Sequence, residues 1–85
     1  MWLVILEESD YEYYRASFYI TSSEPEIFDV LEKFGIKGYC NIVKWVRSPD
    51  KKENEDVYEI RFLSKKLLLI RIRKVEEGEI QTLEY

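Results

Sequence analysis

Eighty-five residues, 46% hydrophobic and 35% charged, suit one globular domain with a real core and leave no room for a second domain. The formal charge of −4 arises from 17 acids and 13 bases, with no histidine and a single cysteine. That composition removes the commonest general base, thiolate zinc clusters and any intrachain disulfide, so most familiar hydrolase chemistry is excluded and no enzyme, metal or cofactor is expected.

No apolar run approaches the roughly 18 residues needed to span a bilayer, and residues 1–6 lead directly into Glu7 and Glu8 rather than a cleavage site. Together with the lone Cys40, this points to a reducing, cytoplasmic setting. Thirteen Glu, eight Lys and five Arg set against two Asn and one Gln point further to a thermophilic source, where ion-pair networks replace thermolabile amides.

Residues 1–6 (MWLVIL) form an unbroken apolar run, the pattern of a central strand covered on both faces. A Ser9-Asp10 turn then leads into residues 11–21. Here Tyr14, Ala16, Phe18 and Ile20 alternate with Tyr13, Arg15, Ser17, Tyr19 and Thr21, predicting a second strand in a hairpin with the first. The single helix follows. Ser23 and Glu26 have capping-box spacing, and Pro25 falls in the first turn. Ile27, Val30, Leu31 and Phe34 form one apolar stripe, and Gly35 is the stop.

Residues 39–47 predict a third strand, with Cys40, Ile42 and Val46 on one side and Asn41, Val43, Trp45 and Arg47 on the other. Cys40 is therefore read as a buried structural thiol. Residues 48–56 read as an exposed, mobile polar loop and residues 57–63 as a fourth strand. Residues 67–75 contain leucines that would suit a helix, but the Ile-Arg-Ile-Arg alternation favours a fifth strand. Gly78 then turns the chain into a final strand at 79–85. The expected fold is α+β: a mainly antiparallel sheet of five to six strands with one helix on one face, in the order β-β-α-β-β-β-β.

One helix cannot cover both faces of such a sheet. The uncovered face is expected to bring Tyr13, Tyr19 and Trp45 to a second chain, most simply another copy. Acid clusters at Glu7, Glu8, Asp10 and Glu12, at Glu53, Glu55 and Asp56, and at Glu76, Glu77 and Glu79 read as solvated turn charge. Residues 50–61 fail the calcium-loop pattern at Lys52, Glu55 and Arg61.

Charge is unevenly spread, with a balance of −7 over residues 1–32 and +3 over residues 33–85. The basic stretches 33–47 and 60–75 contain no acid. They nominate a second role in binding single-stranded nucleic acid, with Lys44, Arg47, Arg71 and Arg73 on phosphates and Tyr39 or Trp45 stacking on bases. An acidic sequence pI of 4.9 and the absence of a nucleic-acid signature place this behind the first reading, a small non-catalytic protein-interaction module that self-associates.

Overall fold

The structure is a computed structural model that describes residues 1–9, 12–37, 40–45, 55–62, 67–76 and Gly78; of Trp45 it describes the backbone. The elements are β1 (Trp2–Ser9), β2 (Tyr14–Thr21), α1 (Ile27–Lys33), β3 (Cys40–Trp45), β4 (Glu55–Phe62) and β5 (Leu67–Lys74). They form an α+β fold with one five-stranded sheet in the order β2-β1-β5-β4-β3, and every neighbouring pair is antiparallel. The strand expected at residues 79–85 lies outside the described residues, although Gly78 does take the positive φ of 82° expected of a turn.

β1 lies inside the sheet between β2 and β5, as its apolar run demands, and residues 3–8 are all buried. Even-numbered residues of β1, β4 and β5 share one face. Val4, Leu6, Ile60, Leu68, Ile70 and Ile72 meet Val30 and Leu31 of α1 there, with Ile27 and Phe34 packed alongside. Period-two strands thus present a flat apolar field to the 3.6-period stripe of the helix. β2 and β3 lie at opposite edges, so the chain that joins them through α1 must cross the helix-bearing face of the whole sheet. That crossing lets seven helical residues cover the core.

The helix begins later than its capping-box spacing predicts. Its N-cap is Glu26, with no side-chain cap hydrogen bond, and Ser23 instead donates its backbone N–H to Thr21 Oγ1 at 3.3 Å. Residues 22–26 are therefore a non-helical bridge out of β2 rather than a first turn.

The C-terminus follows expectation. Gly35, at φ 72°, donates to the Glu32 carbonyl at 3.0 Å, and Ile36 donates to the Leu31 carbonyl at 2.9 Å. These two bonds form the Schellman arrangement, which consumes carbonyls that the helix end leaves free. The predicted polar loop ends earlier than expected, because Glu55 and Asp56 already belong to β4 and Glu55 is only 3% exposed.

Two substitutions test this account of the helix ends. Ser23→Ala is expected to change stability by less than about 0.5 kcal/mol, where loss of a formed cap would cost about 1 kcal/mol. Gly35→Ala, which forces a side chain into left-handed backbone, is expected to cost about 1 to 2 kcal/mol. Urea unfolding midpoints measured at unchanged m-value check both.

Candidate interaction surface

The face of the sheet away from α1 carries odd-numbered residues of β1, β4 and β5, and its centre is ionic. Arg71 Nε donates to Glu7 Oε1 at 2.5 Å, and Arg71 Nη1 donates to Glu55 Oε1 at 2.7 Å. Arg73 holds the second Glu55 oxygen through Nη2 at 2.6 Å and Nε at 3.0 Å. Register explains the geometry. Arg73 stands directly opposite Glu55, while Arg71, opposite both Ile5 and Val57, reaches diagonally to Glu7 and Glu55.

The chain Glu7–Arg71–Glu55–Arg73 thus spans three strands with two charges of each sign, beside the fully buried Ile5 and Val57. The Glu55 side chain is 1% exposed and those of Arg71 and Arg73 are 15% and 12% exposed. Burial pulls the Arg71 pKa down, but the hydrogen bonds it donates to Glu55 and Glu7 outweigh it and hold the pKa above the ordinary arginine value. The guanidinium stays charged because its partners travel with it into the sheet.

This network bears directly on the residues nominated for nucleic acid. Arg71 and Arg73 are committed to buried carboxylates, not to an exposed field. Lys44 lies on the opposite, helix-bearing face, 3.8 Å from Asp56 and 5.7 Å from the centre of the Tyr58 ring. Trp45 ends β3 in register with Val57, while Tyr39 and Arg47 lie outside the described residues. Lys44, Arg71 and Arg73 are therefore not brought together on one surface. The carboxylates Glu7, Glu8 and Glu55, read as solvated turn charge, are buried strand residues, with Glu8 gripped by Arg15 at 2.6 Å.

The expected aromatic surface is also rearranged. Tyr19 belongs to the helix-bearing face, where its ring lies 5.4 Å from Phe34 and Lys33 Nζ sits 5.1 Å from its centre. Burial first, and then the nearby Asp29 charge, raise its pKa and keep the phenol neutral. Tyr13 is half-exposed just before β2.

The surface sequence reasoning missed lies on the other side of β2. Phe18 is 58% exposed, Ile20 56% and Tyr14 47%, with exposed Ala16 between them. Both faces of β2 carry aromatics, so alternation alone could not say which set would meet the helix; Phe34 of α1 selects Tyr19.

A recess lies between α1 and β3. Phe28, Leu31, Glu32, Ile36, Lys37, Cys40 and Ile42 line a cavity of about 410 Å³. Cys40, expected to be buried, is only partly so and forms part of this wall. The lining is mainly apolar, and its lone thiol has no histidine partner because the chain has none. Among the described residues, no three His, Cys, Asp or Glu side chains are grouped to hold a metal ion, and no helix is long and apolar enough to cross a membrane.

Comparison with family models, with curated proteins and with solved structures yields no match to this chain.

The ionic chain makes a graded prediction. Glu55→Ala removes the buried carboxylate that both Arg71 and Arg73 hold and is expected to cost roughly 3 to 5 kcal/mol. Arg61→Ala removes an exposed ion pair with Glu59 and is expected to cost less than about 1 kcal/mol. Equilibrium denaturation of the two variants side by side checks the contrast.

Proposed function

We propose that this domain is a non-catalytic protein-interaction module that associates with a second copy of itself through the outer face of β2. The observation that carries the proposal is the contiguous exposure of Tyr14, Ala16, Phe18 and Ile20 along one edge strand. Apolar side chains grouped in this way mark contact surfaces more often than isolated ones do. Tyrosine and phenylalanine are also the residues that interfaces favour. A reducing cytoplasmic setting fits a domain whose single thiol lines a cavity and forms no bridge.

Charge supports the same surface. Two copies of a −4 chain repel overall, so their contact belongs where charge is sparse. Within β2 only Arg15 is charged, and Glu8 holds it. The basic strands, by contrast, have spent Arg71 and Arg73 on internal pairs, which weighs against the nucleic-acid reading.

Light scattering tests the proposal, on the protein alone and with a mixed pool of short RNA and DNA at low and moderate salt. A dimer indifferent to nucleic acid is expected. Phe18→Asp should weaken it at least about tenfold, since burying a phenylalanine is worth about 1.5 to 3 kcal/mol. A monomer at high micromolar concentration defeats self-association. A nucleic-acid complex that dissolves as salt rises would transfer the function to the basic residues.

A further inference from the structure

We infer that the two copies join edge to edge: β2 pairs antiparallel with β2 of the second copy about a two-fold axis near Ser17 and Phe18, joining the two sheets into one. This rests on the self-association proposed above and adds its geometry.

The first ground is the unprotected edge. β2 has β1 on one side and no strand on the other among the described residues. Its ladder with β1 runs through eight consecutive register pairs, from Trp2 opposite Thr21 to Ser9 opposite Tyr14, without a bulge. It contains no proline, glycine or lysine. Isolated sheets blunt their edges with short strands, lysines, prolines or bulges, because an open row of N–H and C=O groups templates another strand. The opposite edge is blunted in this way: β3 is two residues shorter and carries Lys44. Among the described residues, β2 instead leaves an edge about 27 Å long open.

The second ground is self-complementarity. Strands that keep both helices on the same face of a continuous antiparallel sheet oppose residues of equal parity. A two-fold axis at Ser17 sets Phe18 opposite Ala16, Ile20 opposite Tyr14 and Arg15 opposite Tyr19. An axis at Phe18 sets the two phenylalanines together, Ile20 opposite Ala16 and Arg15 opposite Thr21. Neither arrangement opposes Arg15 to itself. Both create aromatic, β-branched and small pairs of the kind that stabilise neighbouring strands. Phe18 and Ile20 then gain cross-strand neighbours on the face away from α1.

Single cysteines placed in turn at positions 14–21, in a Cys40→Ala background, test the geometry by mild oxidation. Disulfide-linked dimer is expected to peak at position 17 or 18 and to fall at least tenfold towards 14 and 21. If positions 14, 16, 18 and 20 link comparably while 17 does not, the copies stack face to face. Self-association then stands and edge pairing is overturned.

Hydrogen exchange on the unmodified protein supplies an independent measurement that needs no folded variant. β2 amides are expected to exchange at least tenfold more slowly in the dimer than after dilution to monomer. Equal rates in a protein that light scattering shows to be dimeric would overturn edge pairing alone. A monomer under all conditions would overturn both ideas.

Discussion

The carboxylate of Glu55 is the constraint around which the sheet is organised. It stands at the start of β4, receives Arg73 from directly across and Arg71 from the diagonal, and through Arg71 is tied to Glu7 on β1. A buried ion pair is not strong evidence of net stability, because desolvation of both charges opposes their attraction. Its physical effect here is on register. A shift of β4 by one residue would carry Glu55 and Val57 together to the helix face and take the Glu55 carboxylate away from Arg71 and Arg73. The alignment of β1, β5 and β4 is thereby specified by charge on one face and by the aliphatic core on the other.

That division of labour explains what sequence alone could convey. The run in residues 1–6, the alternation in 67–75 and the stop at Gly35 each encode a local period or a backbone angle, and each appears where expected. Partnerships between distant residues are encoded nowhere locally. Glu7 and Arg71 stand 64 positions apart, so nothing near either residue distinguishes a structural ion pair from solvated charge. Parity held the recoverable clue: Leu3, Ile5 and Glu7 share a face, as do Glu55, Val57 and Glu59, and acids interleaved with aliphatics on a central strand call for buried partners.

The misassigned helix start has a different cause. A capping box at Ser23 is a local preference of a few residues, worth about 1 kcal/mol. The route from β2 at one edge towards β3 at the other sets where the helix must lie, and geometry on that scale outweighs one cap. The same reasoning accounts for Tyr19. Its place against Phe34 was decided by the position of α1, which the strand pattern of residues 11–21 does not contain.

The pairing of β1 with β5 also determines when this sheet can come into being. β1 with β2 is a local hairpin and β3, β4 and β5 form a local meander, yet the junction between the two groups joins Trp2 to Lys74. Contacts of such long sequence separation must overcome loop-closure entropy before they are rewarded. During synthesis, β1 emerges first as an apolar strand with one of its two neighbours still unmade, and remains so until residues 67–74 have left the ribosome. Until then, the strand that will lie between β2 and β5 keeps one edge uncovered, in search of a mate.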